Sequence, residues 1–195
     1  MIITGITGQS GSGKTTAARF FAGKGFYHID CDLLVHNKVY KNKELLLKLK
    51  CAFGDSCVND AGLDRRALGR LVFSEKSAYN KLMELVVPYV VAQIKADIEE
   101  YTGDLVLVDA PMLFEYGLEK MCTYTVGVVA VNTVGRICRR DGITQKDAVR
   151  RLENQKNADF YRARCDFIIE NDGDIADLEK SVCGVIDRIL KGNNC

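Results

Sequence analysis

Cysteine pairs at metal-ligand spacing, long apolar runs and an excess of charge of one sign are all missing from this 195-residue chain, and each absence removes a class of function. No C-x-x-C occurs, and the two histidines, His28 and His36, stand away from any cysteine pair, so neither a zinc site nor a metal-ligand cysteine motif is expected. No apolar run approaches the roughly 20 residues that a membrane span requires, which argues against a membrane protein. The 27 basic and 26 acidic residues nearly cancel, so overall charge does not draw the chain to nucleic acid or to a membrane, and any basic site must be local. Internal repeats and low-complexity linkers are missing too. With no signal peptide read ahead of the first apolar stretch, the eight cysteines are expected to be buried free thiols in a reducing cytoplasm. A hydrophobic content of 47% is enough for a substantial core, and the length suggests one domain with inserted segments.

What is present is concentrated near the amino terminus. Gly8-Gln9-Ser10-Gly11-Ser12-Gly13-Lys14-Thr15 fits G-x-x-x-x-G-K-[ST] in full, between an apolar run (Met1 to Ile6) and the helix formers Thr16-Ala17-Ala18-Arg19-Phe20-Phe21. Glycines let consecutive N-H groups turn inward on a phosphate chain, and the helix that follows adds its positive end. Lys14 then bridges the β- and γ-phosphates, and the Thr15 hydroxyl is placed for a magnesium ion. The dinucleotide pattern G-x-G-x-x-G fails, because Gly11-Ser12-Gly13 runs on into Lys14, Thr15 and Thr16.

Further along, Phe26 to Ile29 reads as a second strand running into Asp30-Cys31-Asp32. If the strand persists, both carboxylates leave on one face and either is a candidate general base or metal-side group; otherwise they cap a helix over 33–38. From Lys41 to Tyr101 the pattern is helical. Asp64 is placed to cap a short helix with Arg65 and Arg66, Ser74 to cap another through Val86, and Pro88 to open a third. Leu105 to Val108 has the look of a buried parallel strand, and Asp109 at its end is a metal-side carboxylate; Glu115 beyond it is placed to face an acceptor. Tyr124 to Val131 is a fourth strand. Seven arginines then fall within roughly thirty residues, among them Arg136 and Arg140, and Thr144-Gln145-Lys146-Asp147 opens a helix as a capping box. Cations that close over transferring phosphate give this stretch a lid role. Phe167 to Ile169 is a fifth strand, and Ile175, Leu178, Val182, Val185, Ile186 and Ile189 mark a final helix with one apolar face.

These parts describe an α/β fold: a five-stranded parallel sheet of the P-loop, nucleoside-monophosphate-kinase-like type, with a helical substrate-binding insertion and a helical lid. In residue numbers the expectation is a core of 1–32, 103–135 and 166–195, an insertion of 33–102 and a lid of 136–165. The order of the motifs resembles the dephospho-coenzyme A kinase family over nearly the whole chain. Thr7-Gly8 with Gly11 to Thr16, Ile29-Asp30-Cys31-Asp32, Leu63-Asp64-Arg65 with Leu68-Gly69, Asp109-Ala110-Pro111-Met112-Leu113-Phe114-Glu115, Arg136, Arg140-Asp141, Arg151 with Gln155, and Asn171 with Gly173 carry the likeness.

The resemblance implies transfer of the γ-phosphoryl of ATP to the ribose 3'-hydroxyl of dephospho-coenzyme A with Mg2+. It implies Asp32, Lys14 and Arg140 in catalysis, with Asp32 as base toward that hydroxyl. Gly11, Ser12, Gly13, Lys14, Thr15 and Thr16 would bind ATP, and Asn171 would lie in the adenine-side loop. Asp32, Arg65, Glu115 and Arg136 would face the acceptor, with Thr15 and Asp109 on the metal side. Two departures stand out: Val87-Pro88 replaces the family's His-Pro, and Gln9 stands where a glycine is common. A nucleoside monophosphate or related small-molecule kinase shares the loop and lid and remains an alternative. A GTPase switch is disfavoured, since Asn37-Lys38-Val39-Tyr40 and Asn42-Lys43-Glu44-Leu45 both lack the aspartate of N-K-x-D.

Overall fold

The computed structural model describes residues 1–59 and 62–192. In chain order its elements are β1 (Ile2–Gly8), α1 (Lys14–Gly23), β2 (Tyr27–Asp30), α2 (Cys31–Asn37), α3 (Lys43–Phe53), β3 (Val58–Asn59), β4 (Gly62–Leu63), α4 (Arg65–Ser74), α5 (Lys76–Glu100), β5 (Leu105–Asp109), β6 (Tyr124–Val129), α6 (Thr133–Asp141), α7 (Gln145–Glu153), α8 (Ala158–Arg164), β7 (Phe167–Glu170) and α9 (Ile175–Gly192), with short 3-10 turns at Val39–Lys41 and Leu118–Met121. They divide into two compact units, one of Met1–Ile29 with Gly103–Cys195 and the other of Asp30–Thr102.

The first unit is built on a five-stranded sheet of order β2-β5-β1-β6-β7. β1 is central and pairs in parallel with β5 on one side and β6 on the other, and β6 pairs in parallel with β7. Ile6 lies opposite Asp109 and Gly8 opposite Val128, so the carboxyl ends of three strands arrive together at one edge of the sheet. An open sheet whose central strand turns to neighbours on either side leaves its ligand crevice at this edge. One face of the sheet buries Ile2, Ile6, Leu107, Val126, Val128 and Ile169 under α1 and α9. α9 contributes Leu178, Val182, Val185, Ile186 and Ile189, spaced so that one stripe meets the sheet. Phe21 and Phe26 close the corner edge to face, with centroids 5.1 Å apart. Thus β1 and α1 are locked on both sides before the loop between them is considered.

The Asp30–Thr102 unit is helical. Its centre is α5, a single helix of 25 residues that runs straight through Pro88. The sequence suggests two helices here, one capped by Ser74 and one opened by Pro88; the break falls instead at Glu75, and Ser74 ends α4. A proline inside a helix forfeits one backbone bond and crowds the preceding turn. That cost is outweighed because Ala78, Leu82, Val86, Val90, Ile94 and Ile98 recur every fourth residue and are all buried, in a helix packed against α2, α3 and α4. Asp97 on the same helix is also buried, and is satisfied by Lys38 Nζ at 2.6 and 2.8 Å and by Gln93 Nε2 at 2.8 Å. The two-residue antiparallel pair β3–β4 has no counterpart in the sequence reading. Asp60 and Ala61 between its strands, and the tail through Cys195, lie outside the described residues.

Candidate active site

The loop from Gly8 to Gly13 joins β1 to α1. Gly13 takes a left-handed φ of 96° just before the helix, leaving the N-H groups of Lys14 and Thr15, the first residues of α1, without intrahelical partners. Gly11 is also left-handed, at φ 78°, and a Cβ there would lie 2.8 Å from the Thr133 carbonyl oxygen. Glycine is therefore required at both positions, by conformation and by crowding.

Lys14 Nζ donates to Asp109 Oδ1, and His28 Nε2 lies 3.3 Å from the other carboxylate oxygen. Asp109 is only 3% exposed. Burial pushes its carboxyl up, but the His28 and Lys14 contacts outweigh burial and hold it below its ordinary value. A buried, ionised carboxylate thus faces the loop lysine from the end of β5. Beyond it, Ala110 N donates to Ile6 O at 3.0 Å and Thr7 Oγ1 to Pro111 O at 3.1 Å, which ties the segment leading to Glu115 against β1. Thr15 is exposed on the first turn of α1.

The arginine-rich segment meets the loop at Ser10. Arg140 Nη2 donates to Ser10 Oγ at 3.2 Å, and Gln155 Oε1 accepts from Ser10 N at 2.9 Å. Arg140 is itself held in a fork by Asp141, at 2.6 and 2.8 Å, and Arg151 Nη1 donates to the same carboxylate. The Arg140 guanidinium holds the Asp141 carboxyl well below the usual range, and Arg151 adds to the effect. Arg136 lies one helical turn before Arg140 on α6 and is half-buried. Thr144 caps α7, accepting from Asp147 N at 3.2 Å, but α7 stops at Glu153 and frees the Gln155 side chain for Ser10. α8 packs on β6 and β7 with Tyr161 buried, and its Phe160 stands edge-on to Phe114 at 5.5 Å. Burial pushes the Tyr161 hydroxyl up to about 12, with the Glu115 charge adding and a hydrogen bond to Thr7 opposing. Arg162 is spent on Glu170 and Asp159.

Asn171 is almost fully buried, and its side-chain amide donates to the Ser12 carbonyl at 2.7 Å. Its position follows from β7, since Asn171 N continues the sheet ladder by donating to Val129 O at 2.8 Å.

In the helical unit the strand does not persist through Asp32. Asp30 ends β2 and accepts from Leu33 N at 3.0 Å as the cap of α2, which places Asp32, exposed, in the first turn of that helix. The two carboxylates are therefore not alternate residues of one strand. A short Asp side chain at a helix start satisfies an orphan N-H, and that local bond ends the strand. Arg65 is the first residue of α4, behind Asp64, which accepts from Arg66 N and Ala67 N at 2.9 Å. With His36, Tyr40, Lys41 and Lys43 it lines a cavity of about 440 Å³. Burial pushes the Tyr40 hydroxyl up against the opposing charge of Arg65, and the buried His36 Nδ1 has no hydrogen-bond partner among the described residues.

Sequence reasoning did not assign roles to His28, Ser10, Gln155 or the lining residues His36, Tyr40, Lys41 and Lys43. Ser10 carried a signal as part of the phosphate-loop motif and Gln155 as part of the Arg151–Gln155 spacing; the others are brought to their sites by elements distant in sequence, His28 to Asp109 and residues 36–43 to Arg65.

A glycine-rich strand-to-helix loop whose lysine meets a buried strand-end aspartate and whose flank is touched by an arginine from a following helix places the chain among the P-loop kinases. More narrowly, residues 2–177 match the model of the dephospho-CoA kinase family, and the chain belongs to that family of enzymes. It is 34% identical to a dephospho-CoA kinase of Lactobacillus johnsonii over 194 residues, covering 95% of this chain and 96% of the relative. Among solved structures, a Thermus thermophilus protein superposes with a TM-score of 0.83 at 34% identity, covering 96% of this chain and 97% of that one. The dephospho-CoA kinase of Campylobacter jejuni gives 0.71 at 27% identity, with 98% of each chain covered. No helix among the described residues is long and apolar enough to cross a membrane.

Proposed function

We propose that the chain transfers the γ-phosphoryl group of ATP to the ribose 3'-hydroxyl of dephospho-coenzyme A, giving ADP and coenzyme A. The observation that carries this reading is the complete phosphate loop, with Lys14 on the buried Asp109, in a chain of this family. When ATP binds, Lys14 exchanges the Asp109 carboxylate for β- and γ-phosphate oxygens, and Gly11, Ser12, Gly13, Thr15 and Thr16 line the phosphate chain. Thr15 and Asp109 offer a hydroxyl and a carboxylate, the hard oxygen donors suited to Mg2+. The ion, when bound, neutralises charge on the phosphoryl oxygens.

Asp32 accepts the proton of the 3'-hydroxyl as that oxygen attacks the γ-phosphorus and the bond to the bridging oxygen of ADP breaks. Arg140, pre-set in its fork by Asp141 and already against Ser10, stabilises the charge that develops on the transferring group. Arg136 and Glu115 face the acceptor. So does Arg65, whose cavity with Lys41 and Lys43 carries the positive charge that a diphosphate-bearing acceptor calls for. Substrates of this kind, together with free thiols, fit a cytoplasmic enzyme.

The test is ADP release from ATP with a panel of acceptors. Turnover is expected with dephospho-coenzyme A and not with nucleoside monophosphates, shikimate or gluconate; comparable turnover with any of these overturns the acceptor assignment. Asp32→Asn is expected to cut kcat by about 10²–10⁴-fold with ATP affinity held within about twofold. Undiminished kcat would remove Asp32 from the role of base.

A further inference from the structure

We infer that Asn171 is a positioning residue for the triphosphate site: it sets the Ser12–Gly13 peptide of the phosphate loop and does not read the base. Three observations converge. First, the Asn171 amide donates to the Ser12 carbonyl at 2.7 Å across 159 residues of sequence, in a buried bond. A trans peptide is planar, with its N-H pointing opposite to its C=O, so fixing the Ser12 oxygen toward Asn171 fixes the Gly13 N-H away from it. Inward-facing N-H groups in such a loop push the matching carbonyls outward, and a buried carbonyl left without a donor would let the plane turn.

Second, Asn171 lies against Gly13 itself. A Cβ on Gly13 would stand 2.1 Å from Asn171 Nδ2 and 3.3 Å from Cγ. The left-handed Gly13 and the asparagine are therefore one fitted pair, and no larger residue fits between α1 and Asn171.

Third, the asparagine is itself immobilised. Its N-H is bonded to Val129 O at 2.8 Å, and the side-chain carboxylate of the next residue, Asp172, accepts from Val131 N at 2.7 Å, so the segment is tied to the last residue of β6 and to the chain just beyond it. Asp174 then caps α9, accepting from Ala176 N at 2.8 Å and Asp177 N at 3.0 Å. A side chain held in this way is pre-organised, and the loop needs less rearrangement to accept phosphate. With 6% exposure and its amide engaged with Ser12, Asn171 has little surface to offer an adenine.

The inference rests on the proposed role of the loop as the triphosphate site, and the experiment separates the two. Binding of magnesium tripolyphosphate, which has no base, is measured by calorimetry for the unsubstituted chain, Asn171→Leu and Asn171→Ala, alongside the ATP:GTP preference, steady-state kinetics and Tm. Leucine keeps the branched shape and removes the donor without adding charge; alanine serves if leucine does not fold. The expected result is a roughly tenfold weaker tripolyphosphate affinity, a similar rise in KM for ATP, and an ATP:GTP preference and KM for dephospho-coenzyme A unchanged within about twofold. Unaltered tripolyphosphate affinity in a folded variant overturns the role, whether the ATP:GTP preference collapses, which would make Asn171 a base reader, or only Tm falls, which would make it structural. Failure of the unsubstituted chain to bind tripolyphosphate overturns the loop assignment and this inference with it.

Discussion

The sheet unit and the helical unit hold their candidate residues by different means. In the sheet unit the candidates stand where strands end and helices begin, and each is held by a polar partner from elsewhere in the chain: Lys14 by Asp109, Asp109 by His28, Ser10 by Arg140 and Gln155, Ser12 by Asn171. In the helical unit Asp32 and Arg65 stand in first turns behind aspartate caps only a few residues away, and the surrounding shape comes from the buried stripe of α5. One region is a cross-linked polar network and the other a set of locally capped helices on an apolar spine. On the function proposed above, the first would hold the phosphate chain and the second the larger acceptor.

The contrast is broken most directly at Lys14. Lys14→Ala is expected to lower kcat/KM by about a thousandfold and to weaken ATP binding measured by calorimetry, because charge stabilisation at the transferring group is lost. ATP affinity equal to that of the unsubstituted chain would sink the network's assignment.

A smaller effect is expected on the apolar spine. Ile94, fully buried on α5, leaves a cavity when cut back, so Ile94→Ala should cost about 2–5 kcal/mol in urea unfolding. The KM for dephospho-coenzyme A should rise more than the dissociation constant of magnesium tripolyphosphate. Equal loss of both would show that the distinction between the two regions is not functional.

The smallest effect concerns acid. Asp109 has a folded pKa below its unfolded value, so its contribution to stability is complete above the unfolded value of about 3.9 and is lost as pH falls through the folded one. In nucleotide-free protein, Tm should therefore drop less between pH 5 and pH 3 for Asp109→Asn than for the unsubstituted chain. Parallel pH profiles would mean that the Lys14 and His28 contacts add nothing to folding.

Legibility followed the range of the interaction. The phosphate loop, the Asp64 and Thr144 caps and the apolar face of α9 were readable because each depends on residues within a turn or two. Pro88 misled because a local penalty was overridden by a stripe of buried side chains along 25 residues. For Asp32 the strand tip and the helix start stay open in the sequence because alternation does not say where a strand ends; the Asp30 cap decides that. The resemblance singled out Asn171 for an adenine-side loop, but its engagement with Ser12 is invisible without the sheet that carries it there.

By itself, then, the sequence determined that a loop of the phosphate-binding pattern follows the first strand, since eight consecutive residues there suffice to set backbone conformation and charge. Tertiary structure alone decided which groups contact that loop. Asp109, Gln155 and Asn171 reach the loop because parallel pairing of β1 with β5 and β6, and of β6 with β7, delivers separate stretches of chain to one edge of the sheet, and register between strands is not written in any one of them.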